Sequence, residues 1–257
     1  MNQIPVFIDP ARPKNRFRPF KAMGHMQRLI ADKEDTAQVF HIIDALNGNV
    51  LRRNFETFLN SPDGRARFSE RRFLAPLLDD HASFDDVPAG SVGRTYVDFM
   101  KREGLTAAGL VEESQIRRAG QDTFDDDLEW YGNRQRDTHD MFHVLTGYGR
   151  DALGEAALLA FTHGQISGRG LMFISRMAFF EMRRQIGNHI DFKAVFAEAR
   201  AAGRAAGRIV EQDIMAMLYE PLDKARERLK IPKPVAYRAA LKQFSELPDD
   251  VRKAIAA

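Results

Sequence analysis

R-D-T-H-D-M-F-H-V-L-T-G-Y-G-R-D-A-L-G-E-A-A-L-L-A-F-T-H-G-Q, residues Arg136 to Gln165, reads as a helix, a glycine turn and a second helix. At ~100° per residue, His143 falls roughly 40° around the first helix from His139, and Asp140 about 100° around. Two imidazoles and a carboxylate then share one wedge, about a turn high. Such a wedge can hold a divalent metal without help from loops. Met141, Val144 and Leu145 are left to pack on other parts of that helix. Beyond Gly147-Tyr148-Gly149, the second helix begins near Asp151. Leu153, Ala156, Ala157, Leu158, Leu159, Ala160 and Phe161 make it apolar nearly all round, the pattern of a buried helix. Glu155 sits in that run. An unpaired charge there would cost on the order of several kcal/mol, so it calls for a metal, a cation or a proton.

If the glycine turn folds the two helices antiparallel, Glu155 comes opposite the wedge. The expected site is therefore His139, Asp140, His143 and Glu155 around one metal. Two histidines four apart also occur as a polar face or a satisfied core pair. The metal phosphohydrolase pattern built on an adjacent His-Asp pair needs an upstream His and a distant Asp. His81 and Asp213 are available for it, and nothing marks them out.

The segment H-D-M-F-H-V-L-T-G-Y-G-R-D-A-L-G-E resembles the signature of the coenzyme Q biosynthesis protein 4 family, H-D-x-x-H, eleven residues, then E. Further stretches look like family landmarks in the family's order: D-T-A-Q-V-F at 35–40, P-D-G-R at 62–65, V-P-A-G-S-V-G-R-T-Y at 87–96 and P-L-D-K-A-R-E-R-L-K-I-P at 221–232. The resemblance runs roughly from residue 20 to 235. It implies a place in ubiquinone biosynthesis, and chemistry that joins decarboxylation to hydroxylation at C1 of a polyprenylated hydroxybenzoate-type precursor. The alternative is a non-catalytic lipid-binding scaffold that organises the biosynthetic enzymes, with a structural metal. The implied partners are a polyprenyl quinone precursor, other ubiquinone-biosynthesis proteins and a membrane surface.

Four protein ligands in a tetrahedron would close a zinc site and make it structural, whereas a catalytic site keeps a position open. Histidine and carboxylate donors without sulfur suit zinc, the leading expectation, and also iron, manganese or cobalt. Zinc could serve only as a Lewis acid or an activator of water.

The 257 residues are 44% hydrophobic and 29% charged, an ordinary globular composition. A formal charge of +2 gives no reason to expect nucleic acid as a partner. The absence of cysteine excludes disulfides, thiolate ligands and cysteine nucleophiles. No run approaches the ~18–20 apolar residues of a membrane span. Residues 1–23 are basic but proline-rich, unlike a secretory signal or transit peptide. As the family is mitochondrial in eukaryotes, this points to a bacterial member, cytoplasmic and peripheral on the inner membrane.

From Ala22 onward the pattern is helical. A helix capped by Asp35 carries Val39, Phe40, Ile43 and Leu46, and Gly48 ends it. Leu51, Phe55 and Leu59 mark the next helix, and Pro62-Asp63-Gly64 reads as a turn. Residues 81–90 read as an acidic loop, and VGRTYVDFMKREG as an amphipathic helix closed by Gly104. The acidic run 121–129 reads as a solvated helix start.

In GRGLMFISRMAFFEMRRQIG the apolar residues exceed one narrow stripe, which suits a core helix. The resemblance adds a second reading, a prenyl-tail wall of Phe173, Met177 and Phe180 flanked by Arg169 and Arg176, which could meet an anionic head group. Asp191 caps a helix read as continuous through Glu220. In it, Gly203 and Gly207 permit close helix packing and leave a homodimer open. The fold expected is all-α: a single domain of about ten helices at 21–235 with a central two-helix metal-binding unit, an extended arm at 1–20 and a peripheral C-terminal helix at 236–257.

Overall fold

The computed structural model describes residues 5–13, 16–32, 37–117 and 123–247. The all-α expectation holds. Among the described residues there is no strand, only an isolated bridge between Ser91 and Pro221. In order come α1 (Pro19–Ala31), α2 (Ala37–Asn47), α3 (Val50–Asn60), α4 (Pro62–Glu70), α5 (Leu74–Asp79), α6 (Val92–Glu103), α7 (Ala107–Arg117), α8 (Asp127–Asp137) and α9 (His139–Thr146). Then follow α10 (Ala152–Ile166), α11 (Arg169–Ile186), α12 (Phe192–Ala205), α13 (Ile214–Met217), α14 (Leu222–Leu229) and α15 (Val235–Ser245).

The segments outnumber the ten expected because polar side chains stop several of them early. The stretch read as one helix from Phe192 to Glu220 breaks at Ala206, which is extended (φ −73°, ψ 147°). It resumes as a 3₁₀ turn at Ile209–Glu211 and as α13, capped by Asp213. Gln165 Nε2 donates to the carbonyls of Gly203, Ala206 and Gly207, groups that a continued helix would have bonded internally. The turn read at Pro62-Asp63-Gly64 is instead the start of α4. Ser61 caps it by accepting from Gly64 N–H at 2.9 Å, and Pro62 takes the first helical position, where a missing N–H costs nothing. The Asp35 cap lies outside the described residues, as does the part of the expected C-terminal helix beyond 247.

The chain gathers into two compact units: one from Met1–Asn15, Gly48–Leu145 and Arg208–Leu229, the other from Arg16–Asn47, Thr146–Gly207 and Lys230–Ala257. The first is built on buried aromatics. Phe55, Phe58, Phe68, Trp130 and Tyr131 pack with Leu128 and Val210, and ring pairs lie 5.1–6.0 Å apart in tilted and edge-on arrangements.

At Asp126 and Asp127 the acidic run proves to be a helix start but not a solvated one. Asp126 caps α8, and both Asp126 and Asp127 are buried. Arg12 grips Asp126 through two nitrogens at 2.9 and 2.7 Å, Arg71 pairs with Asp127, and Phe7 N–H donates to Asp127 at 2.6 Å. The segment before α1 thus spends its polar groups on the N-terminus of α8. Landmarks 87–96 and 221–232 meet in this unit. Val92 N–H donates to Glu220 O, Gly93 N–H to Leu218 O and Leu222 N–H to Gly90 O. A Cβ on Gly93 would lie 2.8 Å from Leu218 O, so glycine is what lets these backbones touch.

The second unit packs helices through small residues. A Cβ on Gly203 of α12 would stand 2.0 Å from Phe161 O of α10, and one on Gly164 of α10 would stand 2.8 Å from Arg200 O. Around α1, α2 and α11 a cluster forms from Ala22, Met26, Ile42, Ala45, Leu46 and Ile174, with Leu159, Phe173 and Met177 against it.

Candidate metal centre

α8 and α9 are consecutive helices with only Thr138 between them. Thr138 is buried, and its hydroxyl donates to Arg134 O at 2.9 Å, which closes α8 while Thr138 O accepts from Phe142 N–H to open α9. The His-Asp-His wedge therefore occupies the first turns of a new helix. His139, Asp140 and His143 each offer a ligand atom, and these atoms lie within 4.8 Å of one another. The two imidazoles stand nearly perpendicular, with centroids 5.1 Å apart. Asp140 and His143 are buried and His139 is half-buried.

The other end of α9 is tied as firmly. Arg226 of α14 donates from Nε to Leu145 O at 2.9 Å and from Nη2 to Val144 O at 3.2 Å. A cation at the last carbonyls offsets the helix dipole as well as satisfying orphan acceptors. Arg226 lies in the landmark at 221–232, though spacing alone did not reveal that role.

Three further groups frame the wedge. Phe99 of α6 stacks on His143 with centroids 5.5 Å apart and planes 22° from parallel. Asp137 accepts two bonds from Arg136, at 2.9 and 2.7 Å, and one from Ala75 N–H at 3.3 Å. Burial raises the Asp137 carboxyl above its ordinary range, and Arg136 works against that shift. Tyr96 of α6 is fully buried; burial, together with the charges of Asp140, Asp79 and Asp137, pushes its phenol well up. Tyr96 is thus a neutral hydrogen-bonding group throughout the working pH range. Its place in the amphipathic pattern of α6 gave no sign of a polar role.

Arg134 carries a buried charge at the base of α8. It donates to Val210 O at 2.8 Å and Gln212 O at 2.7 Å, and burial lowers its pKa to about 10. It fastens the wedge's supporting helix to the segment at 208–213 around the 3₁₀ turn.

Glu155 lies in the other compact unit, half-buried in the first turn of α10, with Arg150 Nε 4.0 Å from its carboxylate. The turn before it is closely built. Gly147 takes φ +75°, Asp151 caps α10 by accepting from Gly154 N–H at 3.0 Å, and a Cβ on Gly154 would sit 2.1 Å from Gly149 O. The Tyr237 hydroxyl accepts from Gly149 N–H at 2.9 Å and donates to Asp151 Oδ2 at 2.6 Å.

The expected wall residues lie on α11 in that unit. Phe173 and Met177 are half-buried against the α1–α2 cluster, whereas Phe180 is exposed. Arg169 and Arg176 are exposed, their guanidinium groups 5.4 Å from the Phe17 ring and 5.7 Å from the Phe196 ring. Of the phosphohydrolase alternative, Asp213 is engaged by Ala216 N–H and by Arg67 at 2.5 Å, and His81 packs edge-on to Tyr96. Neither belongs to the three-residue cluster.

The donor set fits a divalent metal. Ligand atoms around a tetrahedral zinc stand about 3.3 Å apart for bonds of ~2.0–2.1 Å, so the three need close by no more than ~1.5 Å. Two imidazoles and a carboxylate suit zinc, iron, manganese or cobalt alike.

The sequence model for the family described as Coenzyme Q (ubiquinone) biosynthesis protein Coq4 matches residues 19–235, a span that includes the wedge, Glu155 and all four landmarks. The chain belongs to the Coq4 family. Over 210 residues it is 23% identical to the mitochondrial ubiquinone biosynthesis protein COQ4 of Scheffersomyces stipitis, covering 80% of this chain and 62% of that one. Against the protein of the same description from Pyrenophora tritici-repentis it is 27% identical over 192 residues, covering 74% and 63%. Against that from Yarrowia lipolytica it is 31% identical over 121 residues, covering 46% and 44%. The chain thus spans 62–63% of the length of the first two relatives.

A crystal structure from Nostoc punctiforme, of a protein provisionally named for ubiquinone biosynthesis, superposes with a TM-score of 0.62. The match covers 85% of this chain and all of that one at 22% identity, which establishes a shared fold. No helix among the described residues is long and apolar enough to cross a membrane.

Proposed function

We propose that this chain works in ubiquinone biosynthesis at a membrane surface, where it removes the carboxylate and installs a hydroxyl at C1 of a polyprenylated hydroxybenzoate-type precursor. The observation that carries the proposal is the His139–Asp140–His143 cluster, with ligand atoms within 4.8 Å, in a chain of the Coq4 family. His139, Asp140 and His143 would hold a divalent metal, and Glu155 fills the fourth position of the family signature by sequence. When bound, the metal supplies Lewis acidity toward the precursor's carboxylate and phenol oxygens.

The chain's own residues supply the setting. Thr138 and Arg226 hold the two ends of α9, so the imidazoles keep their mutual orientation. Phe99 covers one face of His143 and keeps water off it. Tyr96 remains protonated and can donate a hydrogen bond within the site. Phe173 and Met177 offer adaptable apolar contacts to a prenyl tail, and Arg169 and Arg176 offer positive charge to its head group. In the reaction the bond from C1 to the carboxyl carbon breaks, carbon dioxide leaves, and a C1–oxygen bond forms. With dioxygen as oxidant the step balances when a reductant supplies two electrons and two protons, so that the second oxygen atom departs as water.

A second reading has an observation of its own. Asp140 and His143 are buried, and four protein ligands would close a tetrahedral site, the mark of a structural metal in a lipid carrier. One experiment separates the two: incubation of purified protein, metal, dioxygen and reductant with a precursor labelled in its carboxylate. Label released as carbon dioxide by the wild type and lost in His143→Ala, with metal content falling in parallel, supports the enzyme. Tight precursor binding without release supports the carrier. Turnover that persists in metal-free protein refutes the mechanism.

A further inference from the structure

The sequence alone left open which face of the protein could meet a lipid surface. Twelve large hydrophobic side chains stand exposed among the described residues, and four of them fall within residues 17–30. Phe20 is 92% exposed, Phe17 54%, Met23 46% and Ile30 42%. A phenylalanine open to water over almost its whole surface gains nothing for the fold. On α1, at ~100° per residue, Phe20, Met23 and Ile30 occupy a wedge about 80° wide. Ala22, His25 and Leu29 lie on the opposite side and Met26 at its edge; Ala22, His25 and Met26 are buried. The helix is therefore amphipathic twice over, with an inner face that packs on the cluster shared with α2 and α11 and an outer stripe of exposed apolar side chains.

The charge along the stripe is mainly positive, with Asp32 following at the C-cap. Residues 16–31 contain Arg16, Arg18, Lys21 and Arg28, all exposed, and no acidic residue. That is +4 in sixteen residues, against a formal +2 for the chain of 257. Lys21 and Arg28 flank the stripe on one side, about 80–100° around from Phe20. The Arg169 guanidinium adds a fifth cation, stacked 5.4 Å from the Phe17 ring. Protein interfaces exclude lysine from their apolar centres, whereas helices that lie in the lipid interface combine a cationic polar face with aromatic and aliphatic anchors. At thirteen residues α1 is about 20 Å long, too short to span a bilayer and long enough to lie along one.

We infer that α1 with Phe17 and Arg169 is the docking surface of this protein for an anionic lipid bilayer. Phe20, Met23 and Ile30 enter the boundary between head groups and acyl chains, and Arg16, Arg18, Lys21, Arg28 and Arg169 meet the lipid phosphates. The inference deepens the membrane reading under Proposed function and needs neither metal nor precursor.

Vesicle flotation of the full chain tests it, with vesicles of phosphatidylcholine alone or mixed with phosphatidylglycerol, at low and high salt. The wild type floats with the mixed vesicles at low salt, is released as salt screens the charges, and stays down with phosphatidylcholine. Phe20→Ser with Met23→Ser lowers partitioning roughly tenfold or more, and Lys21→Glu with Arg28→Glu does the same while flattening the salt dependence. Phe73→Ser, an exposed aromatic of the other unit, leaves partitioning unchanged. All these positions are exposed, so circular dichroism and thermal melts match the wild type. Three results overturn the inference: no flotation by the wild type, variants that float equally well, or a wild-type dimer that the Phe20/Met23 variant dissociates, which makes the face a contact between copies. Metal-free protein floats as well as loaded protein, so lost chemistry with retained flotation refutes only the reaction.

Discussion

The two compact units bury their helices by different means. In the first, rings form the centre and charges are taken inside to fasten it: Arg134 to two carbonyls, Arg12 to Asp126, Arg71 to Asp127, Arg226 to the end of α9. In the second, α10 and α12 approach until their backbones nearly touch at Gly203 and Gly164, and polar groups serve mainly to shape turns. Directional bonds set the orientation of a short helix, which is what a cluster of ligands needs. Small-residue contacts bring long helices close but tolerate no added atoms.

The contrast breaks first at the glycines. Gly203→Val places a Cβ where Phe161 O already stands, and neither backbone can move alone. Denaturant unfolding is expected to show a loss of about 4 kcal/mol, more than any gain in helix propensity. If Gly203→Val melts like the wild type, the second unit is not packed through its small residues. Arg134→Met tests the first unit: it leaves the carbonyls of Val210 and Gln212 without their donor, at a cost of about 3 kcal/mol. A neutral or stabilising result would mean that the charge there opposes stability more than its bonds support it.

Acid sharpens the comparison further. Burial alone would raise Asp126, yet bonds from Arg12, Glu129 N–H and Asp9 N–H hold its carboxyl below the ordinary range. A depressed folded value stabilises the protein above the unfolded value near ~3.9, and that stabilisation is lost as pH falls through the folded one. Asp213, also depressed through Ala216 N–H and Arg67, carries the same sign. Asp126→Asn should therefore cost about 2 kcal/mol at neutral pH, with the gap from wild type closing below pH ~3.9. A gap that is constant with pH would show that the loss has another source.

The smallest effect is expected in the turn. Tyr237→Phe removes one hydroxyl that serves both Gly149 N–H and Asp151, for about 1 kcal/mol in a thermal melt.

Much of this was open to reading in the chain. The spacing of His139, Asp140 and His143 predicted a shared face, and the structure brings their ligand atoms together because helical periodicity is a local rule. α6 (Val92–Glu103) is closed by Gly104 as its apolar pattern and terminal glycine indicate. The reading failed where a particular hydrogen-bond or packing partner outweighed a local preference. Pro62-Asp63-Gly64 opens a helix because Ser61 caps it and Gly64 fits beneath Phe58 O. Asp126 and Asp127 are buried because Arg12 and Arg71, more than fifty residues away in sequence, reach them.

By itself the amino-acid sequence determined the helical class, the family signature and the placing of His139, Asp140 and His143 on one helical wedge, since each follows from residues within a few turns of one another. Only the tertiary structure decided that Arg226 and Thr138 secure the two ends of α9, that the acidic run turns inward, and that α1 presents Phe20 to the outside. Burial and hydrogen-bond partnership depend on what the rest of the chain leaves uncovered, and no local pattern carries that information.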